Sequence, residues 1–173
     1  MTKFSILIVF LLQFLNENVC SQQTSKLCNC CTQEYKQFDF WLGDWEVYNQ
    51  KGEKIGSNSI VSMQDSCLIQ ENWTSKQETG TSYTYYNKID SSWNQIYIDN
   101  LGTVLQLKGS FQNNRMILQS ERVKSKKANF YYFNRIIWEK DNQGNVSQKW
   151  DIVNDKGEVL QVAFDGIYKR IIK

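Results

Sequence analysis

The 173 residues of this chain include no histidine, so carboxylates and tyrosines are the candidates for acid–base chemistry. Histidine is the commonest metal ligand and the usual general base near neutral pH. Its absence excludes Ser-His-Asp and Cys-His mechanisms and His-ligated haem or zinc. We therefore predict no metal site, no cofactor and no identifiable catalytic residue. Whether the chain is an enzyme stays open, and the residue types favour a non-enzyme.

Polar and aromatic side chains that alternate along predicted strands are the candidate ligand-binding residues. Glu71 and Trp73 fall on the same face of one strand, and a carboxylate that points into a protein interior needs a partner. Arg135 is the expected partner, and the alternative is that both charges face water. Amides among aromatic rings suit a pocket for a small, partly apolar molecule, although each tryptophan could equally be core packing. The candidate set is Glu71, Trp73, Gln95, Tyr97, Arg135, Gln148 and Trp150.

Other charged groups give weaker indications of function. Glu46 and Asp99 could form a carboxylate pair for glycoside-type acid–base chemistry, but nothing in their spacing requires it. The basic run 124–127 predicts a solvated loop. The charges of 20 Lys and Arg and 18 Asp and Glu nearly balance, at +2. Such a balance gives no electrostatic reason to expect a nucleic-acid partner.

Short runs of alternating hydrophobicity, separated by Gly, Asn and Asp, position these side chains. The connections are too short for crossover helices, so neighbouring strands must be antiparallel. About ten strands in up-and-down order are expected to close into a barrel, which removes exposed sheet edges. The fold class is therefore all-β. The predicted strands are 45–49, 54–63, 67–75, 81–88, 95–99, 104–111, 115–123, 129–140, 146–153 and 159–171.

Two further expectations concern local structure. A short N-terminal helix is predicted after Thr32, a plausible N-cap, with Gly43 placed to end it. In the last strand, alternation places one set of side chains inside the barrel, including Arg170 at the strand's end. That set is Leu160, Val162, Phe164, Gly166, Tyr168 and Arg170.

The N-terminus is typical of a signal peptide, with Lys3 before an apolar stretch of about a dozen residues. Cleavage after Ser21 is expected, and the alternative is a lipoprotein anchored at Cys20. The predicted organisation is a signal peptide at 1–21, a cysteine-containing segment at 22–36 and the barrel at 37–173. The mature protein would be periplasmic or extracellular, with no transmembrane segment.

Four cysteines would remain after cleavage, and exported proteins fold where disulfides persist. Cys30 and Cys31 are adjacent and are not expected to bond to each other. We predict one bond from the 28–31 cluster to Cys67, which would tie the N-terminal segment to the barrel. The alternative, a thiolate metal cluster, is disfavoured by export and by the distance of the fourth cysteine. The disulfide candidates are Cys28, Cys30, Cys31 and Cys67.

The run Phe38-Asp39-Phe40-Trp41-Leu42-Gly43-Asp44-Trp45-Glu46-Val47 resembles the F-D-F-W-x-G-x-W-x-V opening of a lipocalin-like (calycin-type) family of uncharacterised exported bacterial proteins. The closing run 164–170 agrees with it, and the resemblance extends over residues 37–170. In the wider calycin group, the tryptophan of G-x-W plugs one barrel end beneath a basic residue of the final strand. The resemblance implies that Trp45 and Arg170 form such a structural plug here.

These observations leave three functional hypotheses. The first is an exported barrel that binds a small apolar or aromatic molecule. The second is a small carboxylate-dependent hydrolase or isomerase, which needs inward ionisable groups with perturbed pKa values. The third is a structural or interaction module without a ligand, which needs a filled interior. Fold resemblance alone does not choose among them. The identity of any ligand and the oligomeric state are not specified by the sequence.

Overall fold

The computed structural model describes residues 28–126 and 129–171. The predicted signal peptide and Cys20 lie outside the described residues. The described chain contains one short 3₁₀ helix at Asp39–Trp41 and eleven antiparallel strands. The strands are β1 (Gly43–Tyr48), β2 (Lys54–Met63), β3 (Leu68–Ser75), β4 (Thr79–Asn87), β5 (Ser92–Asp99), β6 (Val104–Gln112), β7 (Arg115–Gln119), β8 (Val123–Lys124), β9 (Tyr131–Lys140), β10 (Val146–Val153) and β11 (Val159–Arg170).

Ten of these strands form a closed antiparallel barrel, which confirms the all-β prediction. Strands β1 to β7 pair in sequence order, β7 pairs with β9, and β9 to β11 pair in order. The ring closes where β11 pairs with β1, with Trp45 directly opposite Arg170. The two-residue β8 pairs only with the start of β9 and lies outside the ring. Closure gives each of the ten strands a hydrogen-bonded neighbour on both sides.

The predicted N-terminal helix is not present in the described residues. Turns follow Thr32, and the only helical segment there is the 3₁₀ turn at Asp39–Trp41. The prediction of a helix was wrong, although Phe38 and Trp41 do share a face. Burial inside the barrel end, and not a helix, puts the two rings on that face. Both side chains are fully buried, and tertiary packing of this kind commonly overrides helical spacing.

The N-terminal segment closes one end of the barrel with aromatic rings. Phe38 is the centre of this cluster: its ring centroid lies 4.9 Å from that of Trp41, 5.3 Å from Trp138 and 5.8 Å from Trp93. Trp93 and Trp138 belong to the first residues of β5 and the last residues of β9, which meet at this end. We call it the closed end. Ring pairs at these distances and angles add to the burial energy of each side chain.

One disulfide ties the N-terminal segment to the barrel, and a second closes a short loop within that segment. Cys30 is bonded to Cys67, just before β3, and Cys28 is bonded to Cys31. The predicted bond from the 28–31 cluster to Cys67 is therefore confirmed, with Cys30 as the partner. Disulfides of this kind are typical of proteins that fold in oxidising surroundings outside the cytoplasm.

The last strand follows the predicted alternation over only half of its length. Gly166 and Tyr168 are buried and Phe164 is partly buried, but Val162 and Leu160 are 46% and 49% exposed. The pairing with β10 shifts register here, because Trp150 lies opposite Phe164 while Asp151 lies opposite Val162. Ala163 is the extra residue of a β-bulge, which puts Val162 on the outer face, and a second register shift follows between Ile152 and Val153.

Candidate functional site

The barrel encloses a cavity of about 110 Å³ between its middle and the end opposite the aromatic cluster. We call that end the open end. Strands β3, β5 and β10 finish there, and β6 and β11 begin there. The lining combines carboxylates, amides and aromatic rings with few aliphatic side chains. Its residues are Glu71, Trp73, Glu78, Gln95, Tyr97, Leu105, Ile136, Gln148, Trp150, Ala163, Phe164 and Tyr168.

Glu71 is the buried acid of this cavity. It lies in the middle of β3, and only 6% of the residue is exposed. One carboxylate oxygen accepts a hydrogen bond from the Asn58 amide at 2.7 Å, and the other accepts one from the Ser82 hydroxyl at 2.7 Å. Asn58 and Ser82 lie on the adjacent strands β2 and β4. Burial raises the pKa of Glu71, and these two hydrogen bonds offset only part of that rise.

A second group of polar side chains continues from Asn58 across the barrel. The Asn58 amide also lies 3.4 Å from the Tyr168 hydroxyl, which donates a short hydrogen bond to the Gln148 side-chain oxygen. Burial raises the pKa of the Tyr168 phenol, and the nearby Glu71 carboxylate raises it further. Tyr168 therefore stays protonated and acts as a donor. Glu71, Asn58, Tyr168 and Gln148 form one connected polar chain along neighbouring strands of the barrel wall.

Two polar groups of the cavity wall have no hydrogen-bond partner among the described residues. The Gln95 amide nitrogen donates to Thr84 at 2.9 Å, which leaves the Gln95 side-chain oxygen without a partner although only 4% of the residue is exposed. The Tyr97 hydroxyl likewise makes no hydrogen bond there. Burial raises the pKa of Tyr97, with further contributions from Glu78, Glu71 and Asp99. Both groups are free to interact with a bound molecule.

Aromatic rings form the walls around these polar atoms. Trp73 and Phe164 meet edge to face, with ring centroids 5.9 Å apart and planes at 88°. Two glycines allow the rings to lie against the backbone: a Cβ at Gly80 would lie 2.2 Å from the Tyr97 hydroxyl, and a Cβ at Gly56 would lie 2.5 Å from the Trp73 ring.

Six of the seven predicted ligand-binding residues line this one cavity, and alternation along their strands is the reason. The cavity also includes residues that the sequence did not single out as ligand-binding. Tyr168 and Phe164 were placed inside the barrel by alternation but were assigned to the core, and Glu78 lies in the β3–β4 loop, where no period applies. These additional lining residues are Glu78, Leu105, Ile136, Ala163, Phe164 and Tyr168.

Arg135 is the exception, and the expected pair between Glu71 and Arg135 is not formed. The Arg135 guanidinium lies 3.6 Å from Asp151, its direct neighbour on β10. Asn134 and Ile136 are buried on either side of it, so Arg135 belongs to the opposite face of β9. Alternation along β9, with Asn134, Ile136 and Trp138 buried on the inner face, excludes Arg135 from the cavity.

The two residues of the expected plug lie together at the closed end. The Arg170 guanidinium lies 4.3 Å above the Trp45 ring, which is fully buried and donates its indole N–H to the Trp41 backbone oxygen at 2.8 Å. Gly43 leaves room for this arrangement, because a Cβ there would lie 2.2 Å from the Arg170 side chain. The stack is a cation–π contact at the barrel rim.

Glu46 and Asp99, considered as a carboxylate pair, instead have separate local contacts. Glu46 accepts hydrogen bonds from Tyr48 and Lys54 on the outer surface. Asp99 accepts backbone hydrogen bonds from Leu101 and Thr103 in the β5–β6 turn. Each carboxylate thus has a structural partner in its own hairpin.

Comparison with known proteins gives no family or relative, since no family model and no curated protein matches this chain. In residues 28–126 and 129–171, no three Cys, Asp or Glu side chains are grouped so as to hold a metal ion. No helix of that part is long and apolar enough to cross a membrane.

Proposed function

We propose that this chain is an exported, lipocalin-like barrel that binds a small molecule in the cavity around Glu71. The observation that carries the proposal is the cavity itself: a buried carboxyl, an unpartnered amide oxygen and an unpartnered phenol share one aromatic-walled space within the described residues. Polar groups that face a cavity without a protein partner can hydrogen-bond to a molecule held there.

The size of the cavity limits the ligand. A volume of about 110 Å³ is smaller than many drug-binding pockets, which enclose roughly 300–1,000 Å³. An engineered apolar cavity of roughly 150 Å³ accepts benzene. The expected ligand is therefore a molecule of a few non-hydrogen atoms, or a small head group whose tail leaves through the open end.

Export and the lipocalin-like identity are part of the proposal. Two disulfides support folding outside the cytoplasm, in agreement with the signal peptide expected at 1–21. The up-and-down order and the Trp45–Arg170 stack support kinship with calycin-type barrels. The fold and the plug bear on ancestry, whereas the cavity bears on function.

The first experiment is native mass spectrometry of the protein purified gently from its own host. We expect a small adduct that is lost in a Leu105→Trp variant, in which the largest side chain replaces an aliphatic one in the cavity wall. Leu101→Trp is the matched control, because Leu101 is 68% exposed in a turn. An adduct retained by Leu105→Trp, or no adduct on the folded wild-type protein, would count against the proposal.

A carboxylate-dependent enzyme is the second candidate, and the raised pKa of Glu71 favours it. A carboxyl with a raised pKa is a candidate general acid, and Glu71 opens onto a space where a substrate would fit. Chromatography of the ligand before and after incubation separates the two functions. A binding protein returns the compound unchanged, whereas an enzyme converts it and loses that conversion in Glu71→Gln.

A further inference from the structure

The carboxylates that line the cavity have no positively charged side chain beside them in the described lining. The described lining includes two carboxylates, Glu71 inside and Glu78 in the loop at the rim, and no Lys or Arg. Within that part of the chain, Glu71 is hydrogen-bonded only to the neutral side chains of Asn58 and Ser82. The whole protein carries a net charge of +2, so the excess of acidic over basic side chains is a property of the cavity lining and not of the chain as a whole.

The unpartnered polar groups of the wall add acceptors to these carboxylates. The Gln95 side-chain oxygen is a hydrogen-bond acceptor, and the amide nitrogen of the same side chain donates to Thr84. The Tyr97 hydroxyl oxygen can accept as well. A ligand that carries several N–H donors on one positively charged atom matches this set. An anion would meet two carboxylates with no cation in the described lining to offset them.

The aromatic walls narrow the choice between an organic cation and a metal ion. Ca²⁺ takes six to eight oxygen ligands and Mg²⁺ six, whereas rings of Trp73, Tyr97, Trp150 and Phe164 surround much of this space. Aromatic faces attract ammonium groups through the cation–π interaction, which strengthens when water is excluded. A carboxylate at the base and rings on the walls therefore form a site for an organic ammonium ion.

We propose that the ligand of this barrel is a small organic amine in its ammonium form, held by Glu71 at the base of the cavity and by the surrounding aromatic rings. The inference rests on the proposed function and specifies the chemical class of its ligand. The ammonium group supplies the countercharge that Glu71 lacks, and the short apolar remainder of the ligand contacts the rings. Glu78 attracts the cation at the rim.

Three probes with one carbon skeleton and different charge test this: n-butylamine, 1-butanol and butyrate. Each is titrated at millimolar concentration and about pH 8 into the folded protein, while NMR follows the indole N–H signals of Trp73 and Trp150. We expect n-butylamine to bind at least about ten-fold more tightly than 1-butanol, a difference of about 1.4 kcal/mol, and butyrate to bind most weakly. This comparison uses the unmodified protein and so does not depend on any variant folding.

Glu71→Gln keeps the size of the side chain and removes its charge. In this variant the preference for n-butylamine over 1-butanol should fall to within about three-fold, while 1-butanol binds as before. Glu139→Gln, the same change at an exposed position near the opposite end of β9, is the control and should keep the full preference.

The outcomes separate the inference from the function on which it rests. If 1-butanol or butyrate shifts the two indole signals at the same or lower concentration than n-butylamine, the ammonium assignment is overturned and the binding cavity stands. If the preference survives in Glu71→Gln, Glu71 is not the group that recognises the cation. If none of the probes shifts either signal, the cavity does not admit small molecules, and the proposed function fails with the inference.

Discussion

The two ends of the barrel use the same residue types for opposite purposes. At the closed end, Phe38, Trp41 and Trp45 are fully buried in contact with other rings. At the open end, Trp73 and Trp150 surround a space that contains a carboxyl and free hydrogen-bonding groups. Aromatic content therefore does not distinguish a core from a pocket. What distinguishes them is that the rings at the closed end pack against one another, whereas the rings at the open end border a cavity lined by a carboxyl and amides.

The comparison also separates stability from function. The disulfides and the Trp45–Arg170 stack lie at the closed end, which leaves the open end free to retain a buried acid that costs stability. Binding sites commonly carry such costs, which the rest of the fold offsets. We therefore expect substitutions at the closed end to lower the free energy of unfolding strongly, and substitutions at Glu71 to leave it unchanged or raise it.

The largest effect is expected for Trp45→Ala. Removing a fully buried ring from the closed end should lower the free energy of unfolding by about 3–5 kcal/mol, measured by urea denaturation. Trp150→Ala, at the partly exposed cavity wall, is the matched change at the open end and should cost about 2 kcal/mol or less. Equal losses at the two positions would remove the distinction between the ends.

The disulfides test how the closed end is held. Cys30 and Cys67 are 37 residues apart, whereas Cys28 and Cys31 are 3 apart. In the chain-entropy view, replacing the first pair by alanine should lower the free energy of unfolding by about 4 kcal/mol and replacing the second by about 2 kcal/mol. Urea denaturation of both double variants measures the difference. The reverse order would show that the short loop, and not the tether to β3, holds the segment in place.

The smallest effect, and the one of opposite sign, is expected for Glu71→Gln. Burial raises the pKa of Glu71 in the folded state above its ordinary value of 4.5, so the folded protein binds this proton more tightly than the unfolded chain. The stability that this group contributes is complete below the unfolded pKa and is lost as pH rises through the folded pKa. The loss amounts to about 1.4 kcal/mol for each pH unit that separates the two pKa values. The Glu71→Gln variant has no carboxyl at this position, so its free energy of unfolding should not fall with rising pH for this reason.

Denaturation at a series of pH values checks this prediction. The variant should become more stable relative to the wild-type protein as pH rises from about 4.5. The other titratable groups near Glu71 are Tyr97, Tyr168 and Glu78. The two phenols stay protonated over this range, and Glu78 is common to both proteins. A stability difference that does not change with pH would mean that Glu71 is ionised in the folded state at no cost.

The strands and their facing could largely be predicted, because alternation is a local property of the sequence. Both bounds of β2 and β10 agree with the predicted ranges 54–63 and 146–153. The same periodicity places Glu71 beside Trp73, and Gln148 beside Trp150. The period of two residues puts each pair on one face of its strand, but the sequence left open whether the face with Glu71 points inward or toward water.

Features that depend on pairing could not be predicted in this way. The bulge at Ala163 turns Val162 outward, and nothing in its apolar character indicates it. The 3₁₀ turn at Asp39–Trp41 takes the place of the predicted helix, because the barrel end determines where its rings lie. Arg135 was expected to approach Glu71 on grounds of charge, but its strand register places it opposite Asp151.

By itself, the sequence determined an all-β chain that closes into a barrel with aromatic rings and amides inside. It also determined a disulfide that ties the N-terminal segment to Cys67. Periodicity, short connections and cysteine chemistry are local or compositional, so they can be recognised without coordinates. Only the tertiary structure decided that Glu71 receives two neutral donors and, among the described residues, no cation, and that Gln95 and Tyr97 have free polar atoms beside it. Those facts depend on which strands become neighbours and in what register, and the proposed ammonium site depends on them.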